Sequence, residues 1–144
     1  MPRALVDTTV LFAAAYRRDG AHDDALPILR GIDSADLPEA VVLDYVLAET
    51  LNGLITHAGH GAAVDFLDRV EGNARFHLDS LTAEAFATAK ALFRRFERLS
   101  FVDACIVAYM RTEGLGYLYA FDDDFDAVGD VYRLDTATNP YHPG

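Results

Sequence analysis

Hydrophobic and polar positions follow two patterns that alternate along the chain. Short apolar runs, typical of buried strands, are followed by longer stretches in which apolar residues recur every three or four positions, as on amphipathic helices. The runs predict strands at residues 4–6, 37–42, 74–78, 117–120 and 131–134. The periodic stretches predict helices at about residues 8–16, 22–32, 45–58, 62–70, 83–98 and 101–113. Strands that alternate with helices indicate an α/β fold around a central, mostly parallel sheet.

Residues that cap helices support these boundaries, because Asp, Ser and Thr side chains accept hydrogen bonds from the first N–H groups of a helix. The predicted caps are Thr8 or Thr9, Asp44, Thr82 and Ser100. Glycine and proline are scattered, and no repeat or low-complexity linker interrupts the chain. Residues 1–144 are therefore predicted to form a single domain.

Composition narrows the class of protein. Hydrophobic residues make up 51% and charged residues 24% of the chain, which is typical of a globular domain. Cys105 is the single cysteine, so an intramolecular disulfide and a cysteine-based zinc site are excluded. No apolar stretch approaches the roughly 20 residues of a membrane span, and the N-terminal residues do not resemble a signal peptide. We expect a soluble cytoplasmic protein.

The charge balance is strongly acidic. Twelve Lys and Arg residues stand against 23 Asp and Glu residues, for a formal net charge of −11, and Lys90 is the single lysine. Such a chain would repel nucleic-acid phosphates in dilute salt. An Asp-rich, Lys-poor composition resembles that of proteins from salt-loving organisms, and at about 1 M salt the Debye length is only about 3 Å. We therefore hypothesise a halophilic protein, for which net charge does not exclude a nucleic-acid partner.

Four carboxylates stand where a cation site would need them. Asp7 and Asp122 each follow a predicted strand, and the carboxyl ends of parallel strands meet at one edge of a sheet. Glu49 and Asp103 lie in predicted helices among apolar residues, where an unpaired carboxylate is costly. If the four converge, a hard divalent cation with oxygen ligands offsets their repulsion. Such a site suits phosphodiester hydrolysis by a metal-activated water.

Each of these residues also has a purely structural interpretation. Asp7 is placed to cap the helix that follows it, and Glu49 fits an ordinary exposed position on a helix. The segment Ser100–Asp103 has the spacing of a capping box, with Asp in place of Glu. The acidic run 122–124 fits a solvated turn. Taken alone, the residues leave both interpretations open.

Four segments, in order, resemble the acidic motifs of the PIN-domain family, and in particular of VapC-type toxins. They are LVDTTVL at 5–11, VLAETLN at 46–52, LSFVDA at 99–104 and AFDDDF at 120–125. The segments cover nearly the whole chain at the spacing of the family. The chain departs from the family pattern at Ala120, where a threonine usually stands.

The resemblance implies a three-layer α/β/α sandwich and an endoribonuclease that depends on Mg²⁺ or Mn²⁺. Asp7, Glu49, Asp103 and Asp122 correspond to the catalytic, metal-binding acids of the family, with Asp124 as an additional ligand or as a residue that holds a water. The resemblance also implies the toxin of a toxin–antitoxin pair, a cognate antitoxin partner and a homodimer.

Neighbouring hydroxyl groups bear on the same site. Thr8 is expected to hydrogen-bond a ligand carboxylate or a metal-bound water, although capping of the helix explains it equally well. Ala120 lacks the hydroxyl that often supports the site, which puts the level of activity in question.

Arginines are the candidates for contact with RNA phosphates, because a guanidinium binds phosphate through two hydrogen bonds. The candidates are Arg17, Arg18, Arg94, Arg95 and Arg98. A solvated helix face is the alternative interpretation. For the whole protein, the alternatives are a catalytically inactive PIN-like scaffold that binds protein or RNA, and another acidic α/β enzyme such as a phosphatase or a Toprim-type nuclease.

Overall fold

The computed structural model describes residues 2–142, so residues 1, 143 and 144 of the predicted domain lie outside the described residues. The strands are β1 Arg3–Val6, β2 Glu39–Leu43, β3 Phe76–Asp79, β4 Tyr117–Tyr119 and β5 Tyr132–Leu134. The helices are α1 Thr8–Ala15, α2 His22–Asp33, α3 Asp44–Ala58, α4 His60–Glu71, α5 Ala83–Arg95 and α6 Phe101–Glu113. A 3₁₀ helix, Asp123–Ala127, which the sequence pattern does not predict, lies between β4 and β5.

The five strands form one sheet in the order β3-β2-β1-β4-β5, and every neighbouring pair is parallel. Leu5 in the central strand lies opposite Val41 on one side and Leu118 on the other. All residues of β2 are buried, although successive side chains point to opposite faces of a sheet. Helices therefore cover both faces, and the predicted α/β/α sandwich around a parallel sheet is confirmed.

The position of β1 creates the edge at which the site forms. The chain leaves β1 toward β2 on one side and returns to pair β4 on the other side, so the strand order reverses at β1. Ligands of such sheets bind beyond the carboxyl ends of the strands at this reversal. The N–H of Asp7, directly after β1, donates to the carbonyl of Tyr119 at the end of β4 (2.9 Å). Residues that follow these two strands are thereby held side by side.

Helix α6 is the most deeply buried helix of the described chain. Every residue from Asp103 to Met110 is buried, which fits a helix that is apolar on all sides. Cys105 is fully buried within it, as expected for a small core residue. The one charged member of this run, Asp103, therefore lies in the protein interior.

Two element boundaries differ from the predicted ones because of local backbone chemistry. Strand β2 begins later than predicted, because Pro38 has no N–H to donate to a sheet. The N–H of Leu37 instead closes the end of α2 by donating to the carbonyl of Gly31 (2.9 Å). Helix α5 ends at Arg95, before the predicted end, because Phe96 adopts an extended conformation.

Helix starts also differ from the predictions. The N-cap of α1 is Asp7 and not a threonine, and its side chain accepts a hydrogen bond from the N–H of Thr9. Asp44 is the first residue of α3 instead of its cap. Gly59, with φ of +92°, joins α3 directly to α4, which therefore begins at His60. Glycine adopts this backbone conformation without the strain that a Cβ atom would add.

None of the helices within residues 2–142 is long and apolar enough to cross a membrane.

At the amino end of the sheet, a carboxylate pairs with a histidine. Glu39 is buried, and its Oε1 lies 2.5 Å from Nε2 of His77. This hydrogen bond lowers the pKa of Glu39 below its ordinary value of 4.5. The resulting stabilisation is present above pH 4.5 and is lost as the pH falls through the lowered folded-state pKa.

We expect Glu39→Gln to lower the free energy of unfolding by about 1 kcal/mol at pH 7, because it removes a charge-assisted hydrogen bond. The difference from wild type is expected to shrink progressively below pH 4.5. Urea unfolding at pH 7 and at several values below pH 4.5 measures this, with exposed Glu97→Gln as the control. An equal loss at every pH would contradict the assignment.

Candidate functional site

The four acidic residues predicted to converge line one pocket of about 400 Å³. Asp7 follows β1, and Asp122 lies just beyond β4. Glu49 reaches the pocket from α3, and Asp103 reaches it from the first turn of α6. Residues far apart in sequence are thus brought together at the carboxyl edge of the sheet.

Asp7 caps a helix and lines the pocket at the same time. Its side chain is 2% exposed. Its Oδ2 accepts hydrogen bonds from the N–H of Thr9 (3.3 Å) and from Oγ1 of Thr9 (2.8 Å). The capping interpretation and the functional interpretation of Asp7 are therefore compatible.

The two threonines after Asp7 have different surroundings. Oγ1 of Thr9 donates to Asp7 and accepts the N–H of Phe121 (3.1 Å), so it links the ends of β1 and β4. The side-chain hydroxyl bond to the carboxylate, expected of Thr8, is thus made by Thr9. Within residues 2–142, Oγ1 of Thr8 is buried without a hydrogen-bond partner, and Thr8 lines the pocket. A buried hydroxyl of this kind needs a water or a ligand as its partner.

Asp103 is fixed by the predicted capping box. Oγ of Ser100 accepts the N–H of Asp103, and Oδ2 of Asp103 accepts the N–H of Ser100, both at 3.1 Å. The side chain is 6% exposed. Burial, followed by the negative charge of Asp7, raises the pKa of Asp103 to about 7. The charge of Asp122 contributes in the same direction.

The pKa of Asp7 is raised as well. Burial raises its pKa to about 6, the hydrogen bonds from Thr9 and Thr8 oppose the rise, and the charge of Glu49 adds to it. None of the ion pairs found among the described residues includes any of the four predicted acids that line the pocket. The pocket therefore holds buried negative charge without a protein cation, as a divalent metal site does.

The other two acids are more accessible. Glu49 is exposed, so the expected exposed helical position is confirmed, yet its side chain lines the pocket. Asp122 is partly buried, and its Oδ1 accepts the N–H of Asp124 (2.9 Å) at the start of the 3₁₀ helix. These two residues place carboxylates at the solvent side of the pocket.

Asp124 has a different neighbour. Carboxylate oxygens of Asp122, Asp123 and Asp124 lie within 4.8 Å of one another, but Asp124 does not line the pocket. Its Oδ1 lies 3.0 Å from Nε and 2.9 Å from Nη2 of Arg98. The expected role of Asp124 as a metal ligand stays a prediction. In this structure Arg98 forms ion pairs with Asp123 and Asp124 of the acidic turn.

The remaining candidate arginines are exposed. Arg17 and Arg18 directly precede the pocket residue Asp19 in the chain, but neither of them lines the pocket. Arg94 and Arg95 lie in the last turn of α5, where cations complement the helix dipole. Their predicted contact with RNA phosphates stays a prediction.

Asp19 is a pocket residue that the sequence does not indicate. Its Oδ1 accepts the N–H of Ala21 (2.9 Å), which orders the turn before α2. An aspartate in an Arg-Arg-Asp-Gly turn is typical of any surface turn. The sequence therefore holds no signal that separates Asp19 from an ordinary turn residue.

A larger hollow of about 840 Å³ lies elsewhere, among α1, α2, α4 and β3. Leu29, Phe66 and Phe76 contribute to its apolar lining, and none of the predicted site residues lines it. The larger of the two pockets is therefore not the one that contains the predicted site residues.

The fold and the acidic pocket are those of a PIN domain. Residues 4–131 match the PIN domain family, and the chain belongs to that family. The resemblance of the four motifs is thereby confirmed, and a phosphatase or a Toprim-type nuclease is set aside.

One similar protein is a named endonuclease. The 23S rRNA-specific endonuclease VapC20 of Mycobacterium tuberculosis (strain ATCC 25618 / H37Rv) is 34% identical over 128 residues, which cover 88% of this chain and 94% of the relative. The crystal structure of M. tuberculosis VapC20, a sarcin–ricin loop cleaving toxin, matches with a TM-score of 0.77 and 30% identity, over 88% of this chain and 95% of that chain. VapBC2 from Rickettsia felis, bound to a DNA fragment of its promoter, matches with a TM-score of 0.70 over 92% of this chain and 98% of that chain. At 15% identity this last likeness shows the fold alone.

Removal of one buried charge tests the electrostatics of the pocket. We expect Asp103→Asn to raise the free energy of unfolding in EDTA at pH 8 by about 1 kcal/mol, because the amide keeps a capping oxygen without the charge. Urea unfolding measures this, with Asp68→Asn on the exposed face of α4 as the matched control. A loss of stability in Asp103→Asn would mean that the pocket acids do not repel one another.

Proposed function

We propose that this protein is a Mg²⁺- or Mn²⁺-dependent endoribonuclease and the toxin of a toxin–antitoxin pair. The observation that carries the proposal is the convergence of Asp7, Glu49, Asp103 and Asp122 in one pocket without a protein cation. Membership of the PIN domain family and likeness to a named endonuclease support the reaction class.

The donor set fits a hard divalent cation, because all four acids offer carboxylate oxygens. Asp7, Asp103 and Asp122 would hold the metal, and Glu49 would orient the attacking water or help to hold a second ion. Asp124 would join them if the turn released Arg98. A bound divalent cation lowers the pKa of water and stabilises the charge that develops on the leaving oxygen.

The residues of the chain set the positions of the ligands. Thr9 fixes Asp7 against the end of β4, and Ser100 fixes Asp103 at the start of α6. Their hydrogen bonds hold the two buried carboxylates despite their repulsion. The unpartnered hydroxyl of Thr8 supplies one more polar contact for a water in the pocket.

RNA can bind beside an acidic pocket only if positively charged side chains contact its phosphate backbone. Arg17 and Arg18 are exposed and directly precede Asp19, so we assign them the contact with phosphates next to the cut site. Arg98 reaches RNA if the substrate displaces it from the acidic turn. We assign the same contact with RNA phosphates to Arg94 and Arg95, which lie on α5.

The named relative suggests where to begin the search for substrate. M. tuberculosis VapC20 is specific for 23S rRNA, so we propose large-subunit ribosomal RNA as the first substrate to test. RNA of this kind places the action of the protein in the cytoplasm. Structural neighbours include a toxin–antitoxin complex from Klebsiella pneumoniae, and we propose an antitoxin partner and a homodimer for this chain too.

One observation favours the alternative of an inactive PIN-like scaffold. Ala120 is fully buried beside the pocket residue Phe121 and has no hydroxyl to hold a carboxylate. The hydroxyl of Thr9, which reaches both Asp7 and the N–H of Phe121, supplies such support from the first turn of α1. RNA binding without metal binding would favour the scaffold.

Cleavage of large-subunit ribosomal RNA tests the proposed activity. We expect purified protein to cut it with Mg²⁺ or Mn²⁺ and not with EDTA. Asp103→Asn is expected to lower the rate at least about 100-fold, because a ligand is lost, and Asp68→Asn is expected to cut like wild type. Cleavage that persists in EDTA, or an Asp103→Asn rate equal to wild type, would overturn the proposal.

The same assay at low and about 1 M KCl tests the halophile hypothesis. With a net charge of −11, we expect a higher cleavage rate at high salt, where repulsion between protein and RNA is screened. Activity confined to low salt would make the halophile hypothesis wrong and would leave the nuclease proposal standing.

A further inference from the structure

Three aromatic rings lie together beside the acidic pocket. The ring centroid of Phe12 lies 5.3 Å from that of Tyr16 and 5.6 Å from that of His57. The rings of Tyr16 and His57 lie 5.7 Å apart. Phe12 also lines the acidic pocket. The cluster is therefore continuous with the site that holds Asp7 and Glu49.

Two helices build this cluster from residues spaced four apart. Phe12 lies on α1 and Tyr16 is the C-cap residue directly after it, while Glu49, Gly53 and His57 share one face of α3. The row on α3 runs from the pocket outward toward the ring of Tyr16. The aromatic cluster is thus the continuation of the face that carries Glu49.

Gly53 permits the close approach of the two helices. A Cβ atom at this position would lie 3.2 Å from two ring carbons of Phe12, tighter than ordinary contact. The glycine lets the ring of Phe12 pack closely against α3, next to the acidic pocket and to the other two rings. The contact between α1 and α3 therefore fixes the position of the Phe12 ring in the cluster.

Packing of α1 against α3 explains Phe12 but not the outer pair. His57 is exposed and Tyr16 is only partly buried, so parts of both side chains face solvent. Arg17 and Arg18 follow Tyr16 directly and are exposed. Accessible rings beside exposed arginines are the combination with which proteins bind single-stranded nucleic acid, by base stacking and phosphate contact.

We propose that Tyr16 and His57 form a stacking subsite for an RNA base adjacent to the scissile phosphate, with Arg17 and Arg18 on the neighbouring backbone. This inference rests on the proposed nuclease function. Stacking uses the π-face that every base has, so the subsite positions the strand and selects for an unpaired nucleotide, not for one base identity.

Kinetics with a matched set of histidine variants tests the subsite. The substrate is a single-stranded oligoribonucleotide that spans the cut site mapped in ribosomal RNA. We expect His57→Ala to raise KM about tenfold with little change in kcat, because stacking binds substrate and transition state alike. His57→Phe keeps a ring and is expected to retain the wild-type KM. His60→Ala removes an exposed histidine at the start of the next helix and is the control.

A substrate series locates the stacked base. Removal of one base at a time on either side of the cut is expected to raise KM of the wild type about tenfold at one position. At that position, His57→Ala is expected to show no additional rise, because the same contact is already lost. A 2-aminopurine placed there is expected to lose fluorescence on binding to wild type and not on binding to His57→Ala.

The outcomes separate this inference from the function on which it rests. Wild-type protein that cuts no RNA with either metal overturns the proposed function and the subsite together. Wild-type protein that cuts, with the same KM for His57→Ala and His60→Ala, overturns the subsite and leaves the nuclease intact. Equal KM rises in His57→Ala and His57→Phe would also overturn it, because a ring would then not suffice.

Discussion

The repulsion between two buried carboxylates, Asp7 and Asp103, is the constraint around which the pocket is built. Burial, with the charge of Glu49 on Asp7 and the charge of Asp7 on Asp103, raises their pKa values to about 6 and about 7, and hydrogen bonds from Thr9 and Ser100 offset only part of this cost. A domain of marginal stability holds such a pair only where the rest of the fold compensates for it. A divalent cation, as proposed for this pocket, would offset the repulsion between the two carboxylates.

The topology of the sheet provides the interactions that hold the two buried carboxylates in place. Pairing of β1 with β4 brings the residues that follow both strands to one edge, and the hydroxyl of Thr9 joins them. Buried helix α6 delivers Asp103 from the opposite end of the sequence, with its backbone N–H already capped by Ser100. The row of α3 that carries Glu49 continues outward to His57, so the pocket acid Glu49 and the proposed stacking subsite share one helix.

Much of this site was open to prediction from the sequence, because strand ends and helix caps have local signals. The four acids converge as expected, and the capping box at Ser100 forms with an aspartate. The choice between Thr8 and Thr9 was not predictable, because it depends on the N–H of Phe121, which lies 112 residues further along the chain. Asp19 lacks any periodic pattern, and the contact of Asp124 with Arg98 joins segments that only the folded chain brings together.

Titration of Mn²⁺ into metal-free protein, followed by calorimetry, tests the central claim most directly, because it measures the cation site without requiring the RNA target. We expect saturable binding by wild type, at least about tenfold weaker binding by Asp103→Asn, and wild-type affinity in Asp68→Asn. Folded wild-type protein that binds no Mn²⁺, or an Asp103→Asn variant that binds it as tightly as wild type, would contradict the account.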